Sequence, residues 1–425
     1  MRRIHREFLL VYAIFATLSF AVIFVAASYF NVASIAELIS FQSWEPPGPM
    51  PIDVFPKPIG FHFFGDFTLT FREASNPSPY LADGYMGFAY LPFSALVLSP
   101  LFFFPHWTAF LLFISIGVSA LIYSSWRLLT PMPGIERSIL IVVSVMISGP
   151  MISTLDRGNV SLLLTGLCIV GLHKLKKSDQ YGSALMFGLA GAMKLYPVLF
   201  LAIFLRRREL RPIAYGVSGF VAATTLPLFF FDGGFLRNSR ELLHQFIGAS
   251  NQDHALNIQA FNHSFFALFC SIRELNVPLL SEISDLIIEN YLFFVMLLAV
   301  IFILVSAKSA QEWQVLLLAC SLMTGAPTVS GYYVYLLYLV PLFAVFSSNQ
   351  STNCTIWERA SVWMIAVIFV PKGFSILNPF DNWSANSSTY SSLVNPLISL
   401  TLFTGTCIQA LAGATHHWKN RLERV

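Results

Sequence analysis

The chain has 425 residues, 56% of them apolar and 11% charged, whereas a soluble domain carries about 25% charged residues. Apolar stretches of membrane length recur from residue 9 to residue 413, which excludes a sizeable soluble domain and makes 1–425 one integral-membrane unit. A net charge of +3, with basic residues gathered at short loops, is the pattern of topology determinants and excludes nucleic acid as a partner.

The expected fold class is therefore an all-α polytopic membrane protein, of about nine to thirteen transmembrane or re-entrant helices with short interfacial helices beside them. The five cysteines, Cys168, Cys270, Cys320, Cys354 and Cys407, are scattered without a CxxC pair. They read as packing thiols, with no disulfide framework and no metal site.

Arg2, Arg3 and Arg6 precede an uncharged run from Leu9 to Phe30 that is too long for a signal-peptide core. It is expected to be an uncleaved first span with a cytoplasmic N-terminus. The long loop 31–87, rich in Pro and aromatic residues, has only Lys57 and Arg72 as basic groups and so belongs outside. Within it, 66–75 is expected to form a short interfacial helix, ended by Asn76, Pro77 and Pro79.

The next apolar stretches are 88–104, 107–126, 137–154, 158–172, 182–205 and 212–231. Counting one crossing each puts HKLKK (173–177) outside and LDRGN (155–159) inside, against the positive-inside rule. All the loops agree if 88–104 dips in without crossing and 182–205 is a hairpin broken at KLYP (194–197). Such broken backbone is tolerated at membrane depth only beside protein or a wet cavity, so a cavity is expected next to Lys194. The loop 232–263 then lies outside, with 239–247 as an amphipathic surface helix, as do 326–333 and 374–393. The segment 261–272 is re-entrant, and the basic tail HHWKNRLER returns to the cytoplasm.

Two readings attach to Asp66: it caps the helix that follows, or it is the ionised carboxylate that takes a proton from an acceptor hydroxyl at the outer membrane edge. Lys194 sits near the middle of an apolar run, at a cost of roughly 2.5–3.5 kcal/mol on insertion scales. It either snorkels or pairs with an acid such as Asp156, or its ammonium faces a phosphate or pyrophosphate in the cavity. Arg157 is a locally satisfied neighbour of Asp156 or a phosphate ligand. Arg72 lies about one turn beyond Asp66, on a solvated surface or at the pocket's rim. Asn262 and His263 stand where the chain re-enters the membrane, where a helix start and two side-chain donors suit an anion; the alternative is an interfacial histidine. Tyr332 and Tyr333, after Ser330, are belt tyrosines or pocket residues.

No HExxH, GxSxG, Walker A or strand-borne GxGxxG occurs, and no DxD stands in the outer loops. Hydrolase, ATPase and nucleotide-sugar readings lack support, and no cofactor is expected.

Gly65-Asp66-Phe67, Phe71, Pro79-Tyr80, Tyr90 with Pro92, and Pro100 through Pro105 are followed by GNVSLLL (158–164), GLAGAMKLYPVLFLAIFLRRR (188–208) and FNHSF (261–265). In these, over roughly 60–345, the chain resembles the polyprenol-phosphate-mannose-dependent α-1,2-mannosyltransferases of the GT-C superfamily. It departs from them where a Ser-Trp-x-His-His run is common and Ser330-Gly331-Tyr332-Tyr333 stands here. A phosphate- or acceptor-directed role of that His passes to a Tyr or to His263.

The resemblance implies a GT-C-like bundle that transfers a sugar, mannose first, from a polyprenyl-phosphate donor to a glycolipid or glycan acceptor. The transfer is inverting, metal-independent and at the external face of the plasma (inner) membrane, among its lipids. Asp66 is the implied base and Lys194, Arg157 and His263 the donor-phosphate ligands. Arg72, Tyr80, Tyr90, Asn159, Asn262, Tyr332 and Tyr333 are the implied pocket. The competing readings are a transporter or lipid flippase and a polyprenyl-pyrophosphate glycan ligase.

Overall fold

A computed structural model describes residues 3–30, 65–80, 90–249, 262–274, 277–348, 354–371 and 390–422. The segments 31–64, 250–261 and 374–389 of the expected outer loops lie outside the described residues, and so does 81–89. Every regular element among the described residues is helical, as the apolar runs require in a lipid solvent that cannot hydrogen-bond an exposed backbone. The chain is an all-α polytopic membrane protein. The cysteines are free thiols, all buried except Cys354.

Among the described residues, five helices are long and apolar enough to cross a membrane: Arg3–Ala21 of the first helix, His106–Leu128, Leu210–Phe230, Tyr291–Lys308 and Ser392–Gly413 of the last. A sixth results if Gly134–Met146 and Gly149–Arg157, bent by 52°, form one span. The remaining apolar runs fold into shorter pieces. Ser161–Lys176 has 16 residues and Gln180–Met193 has 14, about 24 and 21 Å of helix, short of a hydrocarbon core of about 30 Å. The expected larger number counted these pieces together with full spans.

The 182–205 run breaks where expected. Helix Gln180–Met193 stops at Lys194, whose backbone is extended, and a 3-10 turn at Tyr196–Leu201 leads into a short helix Ala202–Arg207. Pro197 near the start of that turn has no N–H to lend to a continuing helix. The 88–104 run is likewise short, a helix Pro92–Leu98 followed by a 3-10 turn Ser99–Phe103. The expected 239–247 stretch is helical, within a longer helix Gly234–Ala249.

Helices Gln180–Met193, Ser161–Lys176, His106–Leu128 and Leu210–Phe230 pack side by side as one layer of the bundle. Close packing follows from their small residues: a Cβ on Gly188 would meet the Gly216 carbonyl oxygen, and Gly171 lies against Phe187. At one end of this layer charged and polar residues pair with one another. Lys174 Nζ donates to Asp179 at 2.8 Å, Gln180 Nε2 to Glu209 at 2.6 Å and Arg207 Nε to Glu312 at 2.8 Å. The other end carries Asn159 and Lys194, one at the start of Ser161–Lys176 and one at the end of Gln180–Met193.

Candidate active site

Asp66 is brought to that other end by the helix Gly65–Ala74. Phe67 and Phe71, one turn apart, stack at 5.3 Å and share one apolar face. Phe67 is 1% exposed and packs on Phe110 at 5.3 Å and Phe113 at 5.2 Å, which fixes the helix on His106–Leu128. The helix ends as expected before Pro77, with Asn76 Oδ1 accepting from the Ser78 N–H at 2.9 Å. Asp66 sits in the first turn, where the helix dipole favours a carboxylate.

The partners of Asp66 come from the LDRGN turn. Gly158 ends helix Gly149–Arg157 in the left-handed region, with φ 63° and ψ 38°. A Cβ there would stand 2.6 Å from Cβ of Phe67, so glycine answers both the backbone and the close approach of the aspartate's helix. The reversal turns the residues on either side of it onto the same carboxylate. Arg157 donates through Nε to Oδ2 and through Nη2 to Oδ1 of Asp66, both at 2.8 Å, a bidentate pair across 91 residues of sequence. Asn159 Nδ2 donates to Oδ2 at 2.5 Å. Of the two sequence readings, local pairing of Arg157 with Asp156 gives way to this long-range pair.

Asn159 extends the group. Its Nδ2 also reaches the Tyr90 hydroxyl at 3.1 Å. Its Oδ1 accepts from the Ser161 N–H at 2.9 Å, from Ser161 Oγ at 2.7 Å and from Lys194 Nζ at 3.1 Å. One amide side chain, 1% exposed, thus joins the carboxylate to the ammonium. The Lys194 Nζ lies 4.8 Å from the Tyr90 ring, 4.6 Å from Tyr333 and 5.9 Å from Tyr196, so aromatic faces replace the water it lost. Arg157 also faces Tyr333, with Cζ 5.3 Å from the ring centroid.

Tyr90 is held by its neighbours. The Tyr80 hydroxyl donates to the Tyr90 carbonyl at 2.7 Å. The Leu91 N–H and Ser94 Oγ donate to the Met193 carbonyl at 3.3 and 3.0 Å, which joins this segment to the residue before Lys194. Tyr80 therefore positions the pocket from behind.

Burial works against the charge on Asp66, but the Arg157 guanidinium and the Asn159 amide outweigh it and hold the carboxyl below its ordinary range. Among the described residues, the cationic side chains gathered around Asp66 and Asn159 are Arg157 and Lys194.

The other expected site residues go elsewhere. The Arg72 side chain is 69% exposed and lies 3.7 Å from Glu73, the solvated-surface reading. Asn262 is a structural pin: Nδ2 donates to the Thr328 carbonyl at 2.6 Å, and Oδ1 accepts from the Ser264 and Ser330 N–H groups at 3.1 and 3.0 Å. His263 is 1% exposed, stacks on Tyr332 at 5.2 Å and meets Asn395 through Nδ1 at 3.2 Å. The Tyr332 hydroxyl donates to the carbonyls of Ile368 at 2.6 Å and Val370 at 2.9 Å. Adjacent tyrosines thus divide their work, Tyr333 facing the two cations and Tyr332 the wall behind. Sequence reasoning missed Ser161, Gly158 and Tyr196 as parts of the site. Tyr196 stood in the KLYP break, and its spacing of two from Lys194 was the available signal.

A comparison with curated proteins finds no match. The model of glycosyltransferase family 87 matches residues 88–331, more than half of the chain, spanning Tyr90, Arg157, Asn159 and Lys194 and leaving Asp66 outside. The chain belongs to glycosyltransferase family 87 and is a membrane glycosyltransferase.

Proposed function

We propose that the protein transfers a hexose, mannose in the first instance, from a polyprenyl-phosphate-linked donor to a hydroxyl of a glycolipid or glycan, with inversion and without a metal. The reaction takes place at the outer face of the plasma (inner) membrane, with both chain termini in the cytoplasm. The observation that carries this reading is the junction at Asn159, where Asp66 and Lys194 from distant parts of the chain meet on one amide.

In this reading the acceptor hydroxyl attacks the anomeric carbon opposite the phosphate. The bond from that carbon to the phosphate oxygen breaks, the oxygen keeps the electron pair, and the hydroxyl proton passes to Asp66. Lys194 and Arg157 stabilise the charge that grows on the departing phosphate. Tyr90, Tyr333 and Asn159 line the space between.

Charge favours a phosphate over a pyrophosphate. Two cations face one carboxylate at the site, a surplus of one positive charge with Lys194 protonated. A sugar phosphodiester carries one negative charge and neutralises that surplus, whereas a pyrophosphate diester carries two. The test is transfer by the full-length protein in lipid nanodiscs, supplied in parallel with mannosyl- and glucosyl-phosphoryl polyprenols or with polyprenyl-pyrophosphate-linked sugars, and with membrane glycolipid extract. Product formed only from pyrophosphate donors would move the assignment to a ligase. Substrate carried across the bilayer without covalent change would overturn it in favour of transport.

A further inference from the structure

Asp66, as folded, is badly placed to accept a proton. Both oxygens are occupied, Oδ1 by Arg157 Nη2 and Oδ2 by Arg157 Nε and Asn159 Nδ2. Charge-assisted donors on both oxygens favour the ionised form, the opposite of what proton uptake asks of a base. The two cations are also unequal. Arg157 spends its fork on Asp66, while Lys194 gives one hydrogen bond to a neutral amide and keeps two donors. Yet both border the same ring: Lys194 Nζ is 4.6 Å and Arg157 Cζ 5.3 Å from the centroid of Tyr333. An anion at the edge of that ring comes within reach of both. The side chain of Arg157 is 26% exposed and that of Asp66 15%, so the pair stands at an accessible surface.

We propose that the donor's phosphate exchanges with Asp66 for Arg157, so that seating the donor is what frees the carboxylate to act as base. This rests on the reading of a polyprenyl-phosphate donor given above. Before binding, Arg157 holds Asp66. On binding, the phosphate bridges Lys194 and Arg157, and Asp66 keeps its bond to Asn159, which holds the carboxylate in place as the guanidinium turns away. No covalent bond changes in this step; N–H···O bonds to carboxylate are exchanged for N–H···O bonds to phosphate. The hydroxyl proton then goes to an oxygen that Arg157 has left.

The exchange is tested on the full-length protein in nanodiscs with farnesyl phosphate as probe and farnesol as its neutral control. Removing the competitor by Asp66→Asn is expected to tighten farnesyl phosphate binding by about tenfold, the worth of a charged hydrogen bond. That gain is expected to vanish in an Arg157→Gln background and to survive in Arg157→Lys. A gain of equal size in Arg157→Gln means simple charge repulsion and overturns the exchange while leaving the donor assignment standing. Infrared difference spectra of the native protein give a second measure that needs no variant to fold well. Farnesyl phosphate should shift a carboxylate band that is missing in Asp66→Asn, and an unmoved band overturns the proposal. If farnesyl phosphate binds native protein no better than farnesol, the donor reading itself fails and takes the exchange with it.

Discussion

The two ends of the layer formed by Ser161–Lys176 and Gln180–Met193 use charge in opposite ways. At one end Lys174 meets Asp179 at 2.8 Å and Arg207 meets Glu312 at 2.7 Å, two water-accessible ion pairs, while Arg206 donates to the Ala310 carbonyl. At the other, Arg157 and Lys194 face Asp66 alone, and the ammonium is surrounded by aromatic rings. Matched exposed pairs contribute little to stability and hold no capacity for a ligand. An unmatched cation among rings is costly to keep, and the cost is worth bearing where an anion is to arrive. The contrast is between charge that closes a surface and charge that the proposed function leaves open for a phosphate.

Substitutions break or sharpen this contrast. The largest effect is expected from Asp66→Asn, which keeps the shape and removes the proposed proton acceptor. Turnover should fall by about 10²–10⁴ with the protein still folded in detergent, measured as sugar transferred per minute. Lys194→Gln should cost about 10²–10³ in turnover through lost stabilisation of the leaving phosphate. Asn159→Ala leaves both charged groups present but unaligned, and about a ten- to hundredfold loss in kcat is expected from the misplacement. Gly158→Ala forces a side chain onto Phe67 at a left-handed turn and should destabilise the fold by about 1–3 kcal/mol, read as a lower Tm. Glu312→Gln, at the matched end, should change stability by about 0–1 kcal/mol and leave transfer rates as they are. Loss of transfer on Glu312→Gln, or its retention in Lys194→Gln, would dissolve the distinction between the ends.

Much of this was legible in the sequence, and for physical reasons. Apolar run lengths and the positive-inside rule were enough to expect a break at Lys194, because a lysine followed by Leu-Tyr-Pro can neither stay in lipid nor continue a helix. The short helix expected over 66–75, ended by Asn76, Pro77 and Pro79, stands as Gly65–Ala74 because those residues favour a turn over a continuing helix. What stayed hidden were pairings between distant segments. Nothing local distinguishes Asp156 from Asp66 as the partner of Arg157, since the choice is made by the reversal at Gly158 and the seating of Phe67. In the same way Tyr332 and Tyr333 read alike in sequence. Their opposite directions follow from a 3-10 turn, Tyr332–Tyr338, that no periodicity marked.

The glycine at 158 also sets a boundary for anyone wishing to retune the enzyme. Because the turn leaves no room for a β-carbon, random libraries that touch that codon will mostly sample destabilised protein. Diversity directed instead at Tyr90, Tyr196 and Tyr333 would alter the rings around Lys194 while leaving the turn itself intact.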